Sequence, residues 1–189
     1  VTETWAEKHP NTHLRLLRAL IRAAYWLDEN DNANRQEAVE LLSRSSYVGA
    51  DKDVIANSMT GTFEYEKGDV REVPDFNVFF RYHATYPYPS DAIWYLTQMR
   101  RWGQIPDAKP DDWYMQTAAR VYRGDLYAQA AQSLIDDGVM NASDFPDFDA
   151  ENFERPYQGE LIDGVPFTPR EPNAYIDRFD IGLKGTETP

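Results

Sequence analysis

The residues of this sequence that could do chemistry begin with its three histidines, His9, His13 and His83. A nucleophilic triad needs a serine or cysteine, a histidine base and a carboxylate that converge in space. The chain has no cysteine, and no GxSxG turn is present to expose a serine. The sequence therefore predicts no catalytic residue, and we expect a protein that is not an enzyme.

His83 is the candidate ligand-binding residue, because it lies in the most aromatic segment of the chain. The alternative is a core histidine that is held by hydrogen bonds. His9 and His13 are four residues apart, but Pro10 lies between them and the HExxH pattern of zinc enzymes is missing. We predict no metal at this pair.

The densest group of carboxylates, between residues 144 and 151, resembles a calcium-binding loop. Asn152 stands where such a loop has its glycine, and Gln158 stands where it has its bidentate glutamate, so no metal site is predicted. Neither a GxxxxGKS nor a GxGxxG phosphate loop occurs. No cofactor is therefore expected.

Charge and hydropathy exclude two classes of partner. The chain has 32 acidic and 19 basic residues and a net charge of −13, which would repel nucleic acids and anionic membranes. No apolar run approaches the ~18 residues of a membrane span. No charged-then-apolar leader opens the chain, and Val1 lies inside a helical pattern. We expect that the first part of a longer protein is missing.

The segment 75–105 is predicted to form the core. Asp75 follows Pro74 as a helix N-cap, and aromatic residues and His83 recur at i, i+3, i+4 and i+7, which predicts a short helix over residues 76–83. Of the six aromatic side chains in this region, five are expected to be buried or half-buried. These are Phe76, Phe79, Phe80, Tyr82, Tyr86 and Tyr88.

The next helix is predicted from its ends. Tyr86-Pro87-Tyr88-Pro89 forces extended backbone. Ser90 is then a suitable N-cap, basic residues fill the last turn, and Gly103 provides a left-handed stop.

The remaining pattern is mostly helical. Two hairpins are predicted, one around residues 66–69 and one around the Asp163-Gly164 turn. The fold class is thus mainly α with two small β-hairpins (α+β). We expect one helix-rich domain or domain fragment over residues 1–183, followed by a frayed tail at 184–189.

At this point the sequence resembles a known family. The stretch FRYHATYPYPSDAIWYLTQMRRWGQI is similar to the C-terminal part of the nitrate- and bicarbonate-binding proteins of bacterial ABC transporters. The similarity runs from about Trp5 to about Leu183 and includes TGTFEY, VYRGDLYAQAA and PNAYIDRF. It implies the C-terminal portion of a two-lobed, type II periplasmic-binding-protein α/β fold.

The resemblance also implies a function. Such proteins bind nitrate, nitrite or bicarbonate in a cleft between two lobes and deliver it to a membrane permease. We expect a periplasmic solute-binding component in which this portion supports the cleft, and no ligand residue is transferred, since the family's contacts lie upstream. The alternative is a cytoplasmic nitrate sensor, or a regulatory domain of a transporter ATPase subunit, with the same fold.

Overall fold

The computed structural model describes residues 1–156, 161 and 163–182. Its internal contacts define two compact units. The first comprises residues 1–85 and 129–142, and the second comprises residues 86–128 and 143–189. The single domain expected over residues 1–183 stays a prediction, and the tail at 184–189 lies outside the described residues.

Residues 1–85 of the first unit contain four helices, a hairpin and a short 3-10 helix. The helices are α1 (Glu3–Lys8), α2 (Pro10–Asn32), α3 (Arg35–Leu42) and α4 (Lys52–Met59). Pro10 occupies the first turn of α2, where its missing N–H is not needed. The buried centre of this unit contains Ala38, Val39 and Met59, and Trp26, Leu27 and Phe79 pack around it.

The first predicted hairpin is confirmed. Strands β1 (Thr62–Glu66) and β2 (Asp69–Glu72) pair antiparallel, with Phe63 opposite Arg71. Gly68 lies in the turn at φ +86°, a left-handed conformation that favours glycine.

The second unit is built from α5 (Pro89–Arg101), α6 (Asp111–Val121) and α8 (Pro172–Ile176). Helix α7 (Gly124–Asp136) contributes its residues 124–128 to this unit and 129–136 to the first. A 3-10 turn follows at Ala142–Asp144. The buried centre is formed by α5, α6 and α8 through Ala92, Ile93, Tyr114, Ala118 and Ile176.

The predicted C-terminal end of helix α5 is confirmed, and its predicted start is two residues late. The helix begins at Pro89 with Tyr88 as its N-cap, and the Ser90 hydroxyl instead accepts the backbone N–H of Arg155 at 2.9 Å. Gly103 follows the helix at φ +74°, as a left-handed stop requires.

The predicted helix at residues 76–83 is wrong. These residues form bends, and only Arg81–His83 makes a 3-10 turn, in which Tyr82 has φ +58° and His83 has φ +54°. Phe76 and Tyr82 are exposed, so four of the six aromatic side chains are buried or half-buried instead of five. The physical reason is a competing acceptor, Asp28, which takes the backbone N–H groups that a helix would use.

At the second predicted hairpin the structure describes the turn. The N–H of Gly164 donates to the carbonyl of Leu161 at 2.8 Å, and the N–H of Val165 donates to Asp163 Oδ1 at 3.0 Å. Ile162 lies outside the described residues, and those described between 161 and 167 form no strand.

Candidate functional site

The first unit contains a buried ion pair. Arg35 Nη2 donates to Asp28 Oδ1 at 2.6 Å, and the two side chains are 1% and 2% exposed. The other guanidinium contacts are backbone carbonyls: Nε donates to Leu27, Nη1 to Met59 and Nη2 to Asn77. The ring of Phe79 lies 5.0 Å from the guanidinium carbon. Each nitrogen of Arg35 therefore has an acceptor within the unit.

The second oxygen of Asp28 holds a distant segment of the chain. Asp28 Oδ2 accepts the backbone N–H groups of Phe79, Phe80 and Arg81 at 2.9, 2.7 and 3.0 Å. Charge-assisted bonds of this kind are about twice as strong as neutral ones. They fix residues 79–81 in a bend, because three consecutive N–H groups converge on one atom.

These contacts set the charge state of Asp28. Burial by itself raises the pKa of its carboxyl group. The N–H groups of Phe80 and Arg81, followed by Arg35 and Phe79, outweigh burial, and the pKa of Asp28 lies below its usual value. Asp28 is therefore a carboxylate at neutral pH.

The bend projects Tyr82 and His83 in left-handed conformations. Tyr82 is 71% exposed, and its hydroxyl donates to Asp75 Oδ2 at 3.2 Å. His83 is half-buried. Arg81 ties the bend to the end of α2 by donating to Asn32 Oδ1 at 2.5 Å. Left-handed backbone costs roughly 1–2 kcal/mol per non-glycine residue, and such conformations cluster at ligand clamps and switch regions.

The end of α2 has the same unusual backbone. Asn30, Asp31 and Asn32 have φ of 49°, 55° and 68°. Two short left-handed segments therefore meet through Arg81 and Asp28. We take the surface around Tyr82 and His83, held by the Asp28–Arg35 pair, as the candidate functional site of the first unit.

Sequence reasoning indicated His83, which stays a prediction, and did not indicate Asp28 or Arg35. A signal for both was present. Asp28 follows Ile21 at i+7 on the buried face of α2, and Arg35 precedes Ala38 and Val39, which are buried on α3. A charged residue in phase with an apolar face is typical of a buried ion pair, since such charges are rarely buried alone.

The other sequence candidates do not join this site. The rings of His9 and His13 both contact Trp5, at centroid distances of 5.3 and 6.0 Å. Among the described residues, no three or more His, Asp or Glu side chains group in a way that could hold a metal ion. Gln158, the last position of the calcium-like loop, lies outside the described residues.

In the second unit, Arg155 donates hydrogen bonds to acceptors of the same unit. Arg155 Nε and Nη2 donate to Asp91 Oδ2 at 2.9 and 2.7 Å, and Nη2 also donates to the carbonyl of Tyr86. The guanidinium carbon lies 4.6 Å from the ring centroid of Tyr88. These contacts anchor the chain near Arg155 to the Tyr-Pro elbow and to the first turn of α5.

The arrangement of donors limits what the described residues can do. Binding an oxyanion requires N–H or O–H groups that point at the ligand and are not already bonded. Arg35 and Arg155 already donate to protein acceptors. The fold itself therefore uses these two guanidinium groups. In the described part of the chain, no helix has both the length and the apolar character needed to cross a membrane.

Comparison with known proteins gives matches over nearly the whole chain. It is 35% identical to the nitrate import ATP-binding protein NrtC of Synechocystis sp., across 95% of this chain and 24% of that protein. It is 30% identical to the nitrate/nitrite binding protein NrtA of Synechococcus elongatus, across 95% of this chain and 37% of that protein. The bicarbonate transport ATP-binding protein CmpC of the same organism is 32% identical, across 96% and 24%. The chain thus spans well under half the length of these relatives.

Two further comparisons agree. A sequence model of the NMT1-like family matches residues 1–43. The crystal structure of the periplasmic nitrate-binding protein NrtA from Synechocystis PCC 6803 superposes with a TM-score of 0.76 at 27% identity, covering 94% of this chain and 43% of that one. The predicted fold class is confirmed: the chain is mostly helical with a two-stranded sheet, consistent with part of a type II periplasmic-binding-protein fold.

Proposed function

We propose, from the confirmed resemblance of this chain to the nitrate- and bicarbonate-binding proteins of ABC transporters, that it supports the anion-binding cleft of such a solute-binding component. The observation that carries the proposal is the 0.76 TM-score to a periplasmic nitrate-binding protein over 94% of the chain. Arg35 donates to Asp28 and Arg155 donates to Asp91, which supports a structural role for these arginines over direct anion capture. The ligand in the whole protein would be nitrate, nitrite or bicarbonate, and the partner would be a transporter permease.

The supporting role predicts what the chain does alone and in context. Titration calorimetry of this chain with nitrate, nitrite and bicarbonate should give no measurable binding, and micromolar affinity would contradict the proposal. The sharper experiment replaces the matching segment of the Synechocystis nitrate-binding protein with this chain. The chimaera should bind nitrate, whereas a folded chimaera without affinity would also contradict it.

The ligand-contacting residues are not assigned, and His83 is the candidate of this chain for such a contact in the whole protein, with a core histidine as the alternative. In the chimaera, His83→Ala should lower nitrate affinity by at least about fivefold. His13→Ala is the matched control, because His13 contacts Trp5 and lies outside the candidate site. Equal affinity of the His83→Ala and parent chimaeras would remove His83 from the ligand site.

A second candidate function is regulation, and the 35% identity to an ATP-binding transport subunit favours it. The chain has no phosphate-binding loop, so the part of that subunit that matches this chain would be separate from the part that binds ATP. In this case the chain would regulate transport from the cytoplasm, whereas the first candidate places it in the periplasm. The mass and N-terminal sequence of the protein from its native cell distinguish the two: a processed leader supports the binding component, and an ATP-binding domain in the same polypeptide supports the regulator. Neither role assigns the chain a catalytic step.

A further inference from the structure

The Asp28–Arg35 pair takes the place of a helical hydrogen bond. In an α-helix over residues 76–83, the N–H of Arg81 would donate to the carbonyl of Asn77, four residues earlier. In the structure that N–H donates to Asp28 Oδ2 at 3.0 Å, and that carbonyl accepts Arg35 Nη2 at 2.7 Å. The guanidinium also donates to the carboxylate at 2.6 Å. One ion pair therefore satisfies both the donor and the acceptor that a helix would join.

The same carboxylate accepts the two preceding N–H groups. Those of Phe79 and Phe80 donate to Asp28 Oδ2 at 2.9 and 2.7 Å, whereas in a helix they would donate to carbonyls four residues earlier. A bond of the helical type is present at the end of the segment, where the N–H of Ala84 donates to the carbonyl of Phe80 at 3.2 Å. The helical pattern is thus interrupted where the pair intervenes and resumes at Ala84.

Burial of the aromatic rings does not require the bend. Phe80 is 7% exposed and its ring contacts Tyr25, and Phe79 packs around the buried centre of the unit. Adjacent residues lie about 100° apart on a helix, so both rings would fit one apolar face. Tyr82 stays 71% exposed in its left-handed conformation, which is unfavourable for a residue other than glycine. Hydrogen bonds to the pair therefore hold the bend.

Asp75 is placed to serve either conformation. In the bend its carboxylate accepts Arg81 Nη2 at 2.8 Å and the Tyr82 hydroxyl at 3.2 Å. In a helix that begins at Phe76, the same carboxylate would cap the first N–H groups. The segment thus has a set of hydrogen-bond partners for each of two conformations.

We propose that residues 76–83 are a two-state segment, which is a bend while it is bonded to the Asp28–Arg35 pair and a helix when it is released. The two partners lie on different helices, α2 and α3, so a displacement of either helix relative to the segment releases it. Release moves Tyr82 and His83 from left-handed to right-handed backbone and changes the direction of the exposed Tyr82 side chain. Conformational switches of this kind use elements with two packings of one sequence. The proposal goes beyond the transport or regulatory role and does not depend on either.

The first test replaces the pair in the whole chain by apolar side chains, as Asp28→Leu with Arg35→Met. The released N–H and carbonyl groups then have each other as partners, and a helix is expected. In NMR spectra, a continuous series of contacts between Hα of residue i and the amide of residue i+3 is expected over residues 76–81 of the variant and not of the parent. Glu40→Gln with Lys52→Met is the matched control, because it removes a surface pair and should leave the segment as in the parent.

The second test keeps the pair and shifts the preference of the backbone. Tyr82→Ala with His83→Ala favours the helix, because alanine is the best helix former. Tyr82→Gly with His83→Gly favours the bend, because glycine adopts left-handed backbone readily. Relaxation dispersion of the Arg81 amide nitrogen reports exchange between two conformations, and its amplitude should be at least about twofold larger in the alanine variant than in the glycine variant.

Three results would overturn the proposal. In a folded pair variant, the segment keeps the contacts of the bend or becomes disordered. In the second test, the alanine and glycine variants show equal dispersion. Helical contacts that also appear in the surface-pair control would show that the change does not depend on Asp28. If the pair variant does not fold, the alanine and glycine variants decide alone, since they retain the pair.

Discussion

Replacing Asp28 by asparagine tests the central contact of the first unit. The carboxylate accepts four hydrogen bonds, three from backbone N–H groups and one from Arg35. At about 1.5–3 kcal/mol for each bond to a charged group, these would total about 6–12 kcal/mol. Asparagine keeps one oxygen, which can serve either the backbone or Arg35 but not both. We therefore expect a loss of about 3–5 kcal/mol, the usual cost of breaking a buried ion pair.

The measurement is urea unfolding followed by tryptophan fluorescence, because Trp26 packs in the core of this unit. Glu40→Gln is the control: Glu40 pairs with Lys52 on the surface and should lose less than about 1 kcal/mol. The double variant Asp28→Asn with Arg35→Met should be more stable than the sum of the two single changes predicts, since neither partner is left with an unpaired charge. A loss for Asp28→Asn no larger than that of the control would refute the reasoning.

Three further predictions follow from single residues. Because the pKa of Asp28 is lowered, its contribution to stability is present above the unfolded pKa of about 3.9 and is lost as the pH falls through the lower folded pKa. Lowering the pH should therefore destabilise the parent chain more than the Asp28→Asn variant. Parallel curves of unfolding free energy against pH would contradict this. Tyr114→Phe should lower the free energy of unfolding by less than about 1 kcal/mol, or raise it, because the buried hydroxyl has no hydrogen-bond partner among the described residues. A larger loss of stability in urea unfolding would reveal a partner. Gly124→Ala should destabilise the chain by about 1–3 kcal/mol, since the added Cβ would lie 2.8 Å from the Tyr86 hydroxyl. Adding Tyr86→Phe to this variant should restore the melting temperature. No recovery would place the cause in the backbone.

The elements that sequence reasoning located are those specified by neighbouring residues. Helix α5 ends before Gly103, which adopts φ +74° as the predicted stop requires. The hairpin of β1 and β2 follows from alternation around a glycine turn. In both cases the deciding groups lie within a few residues of the backbone that they shape, so a local pattern suffices.

The segment 76–83 shows where such reasoning fails. Its spacing is that of an amphipathic helix, but the acceptor that takes the N–H groups of Phe79, Phe80 and Arg81 is about fifty residues away. No local pattern contains that acceptor. The sequence indicated His83 as a candidate, yet only the folded chain shows that His83 and Tyr82 lie in a left-handed turn.

By itself the sequence determined the helical character of the chain, the hairpin, the C-terminal end of α5 and the resemblance to anion-transport proteins, because propensities, caps and turns act over a few residues. Tertiary structure alone decided that Asp28 and Arg35 form a buried pair and that the 79–81 backbone is drawn out of a helix. The reason is competition for hydrogen bonds and burial: which acceptor a donor meets depends on groups that only folding brings together.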